Sequence, residues 1–315
     1  MKWMLDLHFE KPHCLIHHRD PILLLGSCFT DNIGLALSKL YFSTLSNPGG
    51  ILFDPDSLCR HLERALDGRF VHEEEIVFAN ERYQSLDFHS DFAALNEKDA
   101  IRNMNGAIDA IASFLPHARH LIITLGSAFA YRYKKTGQLV ANCHQFPADA
   151  FEKELLTVDH IVQRFSSLIP GLQKTYPDLQ LIFTVSPVRH IRDGVVANNR
   201  SKAHLIEAVH QLQGTFEQVY YFPAYEWIID VLRDYRWYDL DLVHPNYAAT
   251  ESVFDEFCRV CMDDWTREQL KELRQLRNAN EHRPRFPDTE AHRKFLKNNE
   301  IKRIEMQKKM PWIKF

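Results

Sequence analysis

Two short stretches far apart in the chain hold side chains suited to nucleophilic chemistry. Gly26-Ser27-Cys28-Phe29 sets a hydroxyl beside a thiol, and Asp241-Leu242-Val243-His244 sets a carboxylate three residues before an imidazole. A carboxylate at that spacing can turn back onto Nδ1–H of the His and leave Nε2 free as a base. A thiol or hydroxyl within reach of such a base can attack an acyl carbonyl. Either stretch alone has a plainer explanation: a small residue packed under a helix, or a helix start flanked by an Asp and a solvent-facing His.

The elements around them must supply the positioning. Pro21-Ile22-Leu23-Leu24-Leu25 reads as a buried strand, with Gly26 allowing a sharp turn and a helix predicted over Asp31–Leu40. A helix N-terminus offers free N–H groups that favour a thiolate and a developing oxyanion. Further apolar runs at Tyr41–Leu45, His120–Leu125, Leu179–Val185 and Val219–Phe222 read as strands. Helical patterns cover Asp54–Ala65, Asp91–Leu115, Val158–Thr175, Asn198–Leu212 and Tyr247–Asp264. This alternation predicts a three-layer α/β/α sandwich with a mainly parallel sheet, whose functional residues gather beyond the strands' carboxyl ends. Phe70–Phe92 and the hairpin-like 131–140 stretch read as small β insertions. Residues 266–315, broken at Arg283-Pro284-Arg285-Phe286-Pro287, read as a charged helical C-terminal arm on a domain spanning 1–265.

Composition narrows the class. The 315 residues are 45% hydrophobic and 25% charged, ordinary for a soluble globular chain. Charge breaks up the N-terminal Met1–His8 stretch too early for a secretion signal, and no apolar run reaches the ~20 residues a membrane helix needs. A cytoplasmic protein with no membrane partner is expected, its six cysteines reduced. Residues 266–315 hold 14 Lys/Arg against 7 Asp/Glu, leaving −11 in the first 265. These charges are interleaved with Leu270, Leu273 and Leu276, as on a solvated helix face, so no nucleic-acid partner is expected. Cys258-x-x-Cys261 has no second pair, and His13, His17 and His18 have no carboxylates beside them, so no metal is expected. No phosphate-cradling glycine motif is present, and no cofactor is expected. Oligomeric state is not legible.

The pairing of a strand-end nucleophile with a late Asp-x-x-His resembles the SGNH (GDSL-type) hydrolase superfamily. Gly26-Ser27-Cys28-Phe29-Thr30 is similar to the motif that names the GSCFA domain family, a bacterial family within it. Asn47-Pro48-Gly49-Gly50, Asn142-Cys143-His144, Thr184-Val185-Ser186-Pro187-Val188-Arg189 and His282-Arg283-Pro284 match the same family. Set against the Gly-Asp-Ser of the superfamily, Gly26 aligns with Gly, Ser27 with Asp and Cys28 with the nucleophile. Position thus selects Cys28 and residue type selects Ser27; register favours Cys28. The resemblance implies His244 as base, Asp241 as its orienting partner, and an oxyanion donor at Gly49 or Gly50.

The chain departs from the superfamily after the third long strand. A Gly-x-Asn-Asp turn is usual there, whereas this chain has Gly126-Ser127-Ala128-Phe129 and no Asn side chain. Loss of one such donor costs roughly 10²–10³ in rate. Asn47, Asn142 and Ser127 are the replacements at hand. His144 and His89 are pocket candidates, and Arg189 could take a substrate carboxylate or phosphate. The expected activity is an esterase or acyl transferase working through an acyl-enzyme, with O-acylated carbohydrate or another small ester as the substrate the resemblance implies. The missing Asn motivates the rival reading of a binding protein without turnover, and Cys28 a third reading as a redox-active thiol.

Overall fold

Alternating apolar residues on the strands decide the architecture. In β1 (Ile22–Gly26), Leu23 and Leu25 enter one apolar cluster while Ile22 and Leu24 enter another. A strand buried on both sides in this way belongs inside a parallel sheet covered by helices on each face. The computed structural model shows that arrangement over residues 4–313 and 315. Met1, Lys2 and Trp3, the start of the N-terminal stretch read above, lie outside the described residues, as does Lys314.

From β1 the chain enters helix α1 (Cys28–Ser38) and returns through β2 (Thr44–Ser46). Helix α2 (Pro55–Asp67) is capped by Asp54, whose Oδ1 accepts the Ser57 N–H at 2.9 Å. A small antiparallel insert, β3 (Val77–Ala79) with β4 (Arg82–Gln84), precedes helix α3 (Glu97–Phe114) and strand β5 (His120–Leu125). A second insert joins β6 (Phe129–Tyr133), β7 (Gln138–Val140) and β8 (Phe151–Leu155), with β6 in the middle. Helix α4 (Val158–Thr175), β9 (Gln180–Val185), helix α5 (Val195–Thr215) and β10 (Val219–Tyr221) complete the sheet. One helical turn, α6 (Ala224–Glu226), widens into a π-helix over Trp227–Leu232. Helices α7 (Tyr247–Cys261), α8 (Asp264–Glu281) and α9 (Glu290–Lys309) follow.

The main sheet has five strands in the order β10-β9-β5-β1-β2, every pair parallel. Residues of α2 to α5 cover one face, through Leu58, Ile108, Phe165 and Leu205. Phe29 of α1, Phe254 of α7 and Leu273 of α8 cover the other. The three-layer α/β/α sandwich, its parallel sheet, the small β insertions and the C-terminal helices are as the sequence predicts. Helices α8 and α9 share an apolar cluster with α1 and α7, through Leu270, Leu276, Met306 and Met310.

Several boundaries differ from the sequence reading: β2 is Thr44–Ser46 rather than Tyr41–Leu45, and α5 runs Val195–Thr215 rather than Asn198–Leu212. Helix α1 starts at Cys28 rather than Asp31, so the thiol lies in its first turn and Ser27 is the N-cap. Helix α3 starts at Glu97 rather than Asp91, because Asn96 caps it by accepting the Asp99 N–H at 2.8 Å and Ala94 bridges back to Tyr83. Helix α7 stops at Cys261: Met262 bridges to Ile16, and Asp263 caps α8 by accepting the Thr266 N–H at 2.7 Å.

Candidate active site

Gly26 makes the sharp turn before Ser27 and Cys28 possible. Its φ of +139° is outside the range of L side chains, and a Cβ there would collide with the backbone of Thr124 on β5. The turn is fixed by the Gly26 N–H to Asn47 Oδ1 (2.8 Å), the Ser27 N–H to Thr124 O (3.1 Å) and the Thr30 N–H to Ser27 O (2.8 Å). Ser27 and Cys28 then have different environments. Ser27 is fully buried, and its Oγ has no hydrogen-bond partner among the described residues. Cys28 is half-buried with a free thiol.

Burial pushes the Cys28 thiol above its ordinary pKa, and the Asp31 carboxylate one turn on adds to this. The N–H groups of Cys28 and Phe29 and the Lys202 ammonium pull the other way without prevailing. The helix terminus therefore does not produce a resting thiolate, contrary to what the sequence suggests. Attack from Cys28 requires a base.

The second stretch is organised to provide one. His244 Nδ1–H donates to Asp241 Oδ2 at 2.6 Å, while Asp241 Oδ1 accepts the N–H groups of Val243 (2.8 Å) and His244 (3.0 Å). The His244 side-chain bond and these two N–H groups lower the Asp241 pKa to about 2, so the carboxylate stays ionised. Leu242 takes φ +58° to close this turn. The Arg189 N–H donates to Val243 O (3.1 Å), tying the turn to the segment after β9, and Asn246 caps α7 directly behind it. His244 remains half-exposed, with Nε2 free of any partner among the described residues.

Both stretches sit on the carboxyl-end rim of the sheet, within electrostatic reach of two side chains the sequence did not single out. Lys202 of α5 is buried and donates from Nζ to Gly126 O (2.6 Å) and Ser186 O (2.7 Å), the carbonyls just past β5 and β9. Its charge acts on Cys28 and on His190. His190 is held at a pKa of about 4 by burial first, then by the charges of Lys202 and His244. The signal for Lys202 is present in the sequence: Asn198, Ser201 and Lys202 lie on the same helical stripe as Leu205, Val209 and Leu212. A lysine on the buried stripe of a helix marks an internal polar site. No hydrogen bond joins Cys28 to His244 here, and such contacts commonly tighten only around a bound substrate.

The other candidate residues divide by what engages them. The N–H groups of Gly126 and Ser127 both donate to Phe53 O (2.9 and 3.0 Å), and Ser127 Oγ lies 3.2 Å from Ser201 Oγ while accepting the Phe129 N–H. Asn47 is engaged at both ends of its amide, accepting from Gly26 and donating to Asp31 Oδ1 at 2.7 Å. The Gly50 N–H donates to Asn47 O (2.8 Å), and its φ of +81° lets it approach His89 where a Cβ would collide. The Gly49 N–H has no partner among the described residues, and the N–H groups of Cys28 and Phe29 face the Cys28 thiol. Asn142 accepts the His144 N–H (2.9 Å) and keeps its amide N–H groups free. His144 is buried, donates from Nε2 to Ser85 O (2.7 Å), and has its pKa lowered by burial. His89 is half-buried, with Nδ1 3.2 Å from Asp91. Arg189 donates to Tyr235 Oη (2.7 Å) and stacks on the rings of Tyr235 and Tyr238, 5.1 and 4.9 Å from their centroids. Among the described residues no cluster of His, Cys, Asp and Glu suits a metal ion.

Comparison with known proteins puts this rim in a family. Solved structures with a similar course include a candidate platelet activating factor from Streptococcus pneumonia, at TM-score 0.40 and 11% identity over 76% of this chain and 83% of that one. A family two carbohydrate esterase from Clostridium thermocellum in complex with cellohexaose matches at TM-score 0.39 and 12% identity, over 79% of this chain and 65% of that one. An acetyl xylan esterase from the rumen bacterium Butyrivibrio proteoclasticus matches at 0.39 and 11%, over 82% and 66%. The chain thus spans about two thirds of the length of each of these esterases. No curated protein sequence matches it. The GSCFA family model matches residues 21–257, from β1 through the Asp241–His244 turn, and the GSCFA C-terminal domain model matches 273–315. The chain belongs to the GSCFA family.

Proposed function

We propose that this protein is an esterase or acyl transferase in which Cys28 attacks, His244 moves the proton and Asp241 orients His244. The observation that carries this reading is the 2.6 Å Asp241–His244 bond, which leaves Nε2 free on the rim that holds Cys28. The raised thiol pKa supports a base-assisted attack over a standing thiolate. His244 Nε2 takes the Sγ proton as the Sγ–C bond forms. The N–H groups of Cys28, Phe29 and Gly49 are the donors for the oxyanion. When the intermediate collapses, the C–O bond breaks and the leaving alcohol receives the proton from Nε2. Water or a second alcohol then removes the acyl group by the same route in reverse. An O-acylated carbohydrate fits the superfamily resemblance, and the aromatic side chains Phe53, Phe129 and Tyr131 beside the site suit a sugar ring.

Release of p-nitrophenol from short acyl esters tests this. Wild type should exceed His244→Ala and Cys28→Ala by at least ~10²-fold in kcat/KM, with Ser27→Ala close to wild type. Equal rates for wild type and His244→Ala on every acyl length would reject the hydrolase. One observation favours the rival binding protein: Phe53 O occupies both N–H groups after β5, so that strand supplies no oxyanion donor. Ligand binding without turnover would decide for it.

A further inference from the structure

A cavity of about 580 Å³ opens beside the Asp241–His244 turn, with Val243 in its wall. Its aromatic side is Phe53, Phe129 and Tyr131, and its charged side is Lys153, Arg189, Arg192 and Asp193. Asp193 is the only carboxylate among the lining residues, and it is already paired with Lys153, whose Nζ lies 4.5 Å above the Phe129 ring. Neither Arg189 nor Arg192 has a carboxylate partner among the described residues. Two guanidinium groups thus share a mostly apolar cavity with no counter-ion from the protein.

Arg189 is oriented in advance. Its backbone is fixed by Val243 O, one N–H donates to Tyr235 Oη, and its plane lies against two tyrosine rings. This leaves further N–H groups of a rigid fork, the geometry that matches carboxylate and phosphate oxygens. A half-buried cation whose partners are all neutral keeps an unmet preference for an anion, so the arrangement selects for a charged ligand.

We infer that the substrate carries an oxyanion, a carboxylate or a phosphate, which Arg189 and Arg192 hold while the acyl ester reaches the rim. The ligand class is an acidic or phosphorylated sugar ester, with its ring against Phe53, Phe129 and Tyr131 and its anion on the arginines. The inference rests on the esterase reading for what lies at the reacting end, and on the cavity alone for the anion.

The test separates the two. Glucuronate, glucose 6-phosphate and glucose, none of which carries an acyl ester to turn over, are titrated calorimetrically into full-length His244→Ala. One of the two acids should bind at least ~10-fold more tightly than glucose, and the stronger one identifies carboxylate or phosphate as the group read. Arg192→Gln, at an exposed position outside the core, should remove that preference while the melting temperature stays unchanged. Equal affinity for all three sugars, absence of acid-dependent binding, or an acid preference that survives Arg192→Gln overturns the inference. Hydrolysis of neutral p-nitrophenyl esters by wild type is measured alongside. Turnover without acid preference removes the anion site and keeps the esterase; acid binding without turnover does the reverse.

Discussion

Two neighbouring residues divide the roles that residue type alone would assign to Ser27. In this fold the N-cap position buries Ser27 against β5 and leaves Cys28 half-exposed in the first turn of α1. Cys28 has a thiol pKa above its ordinary value, from burial first and Asp31 second. Its alkylation by iodoacetamide should therefore be slow at neutral pH and still rising with pH beyond the range where an ordinary thiol levels off. Asp31→Asn should shift that profile to lower pH, since it removes a like charge. A plateau near neutrality would contradict the burial argument and turn attention to a standing thiolate. At the base, Asp241 stays ionised down to a pH of about 2, so its own titration should leave no mark on the rate above pH ~4. Asp241→Asn should lower kcat by about 10²–10⁴ with KM little changed, because an amide cannot hold the same tautomer. A change confined to KM would place Asp241 outside the proton path. The Gly26–Phe29 turn at the end of β1 and the Asp241–His244 hydrogen bond were legible in sequence because each is a short local pattern. Which N–H groups and amides are free was not, because Asn47 and Phe53 meet their partners only across the fold.

At the scale of elements, the long strands and helices were read from apolar runs, and the misread segments are those where pairing outweighs pattern. Strand β8, Phe151–Leu155, has three charged residues in its middle and exists because it pairs with β6. Lys202 shows the same on a helix: it ties α5 to the carbonyls after β5 and β9 and holds the two strand ends together. Burial lowers its pKa from 10.5 to about 7. A lysine whose folded pKa is lowered imposes its full penalty below that value. The penalty is relieved as pH rises from about 7 toward the unfolded value, because the unfolded chain then holds a proton the folded one lacks. A neutral amine still has two N–H groups for its two carbonyls, so the ties survive deprotonation. Urea denaturation of wild type and Lys202→Met between pH ~6.5 and ~9 should show wild type gaining on the variant by about 2 kcal/mol. A difference that is flat, or that shrinks with pH, would mean Lys202 keeps its proton in the fold.

For the whole molecule, the question is whether residues 266–315 are an appendage or part of the domain. Their charge and the Arg283–Pro287 break read as an arm laid over a finished core. The packing says more: Leu270, Leu273 and Leu276 of α8, then Met306, Met310 and Ile313, are buried in the same apolar cluster as Phe29 of α1 and Phe254 of α7. Without them one face of the sandwich would expose apolar side chains of that cluster, a contiguous surface that globular chains seldom leave open. The sequence showed the helical stripe of leucines but not its target, since the cluster it joins gathers residues from Phe9 to Ile313 across the chain. If the helices complete the core, the chain unfolds as one unit. Calorimetry should then give a single transition, and Leu273→Ala, at a fully buried site, should lower its stability by about 2–5 kcal/mol without splitting it. The same substitution should reduce ester turnover only as far as it unfolds the protein, leaving kcat per folded molecule unchanged. Two transitions in wild type, with Leu273→Ala shifting only the weaker, would make the C-terminal helices a separate unit docked on a core that stands without them.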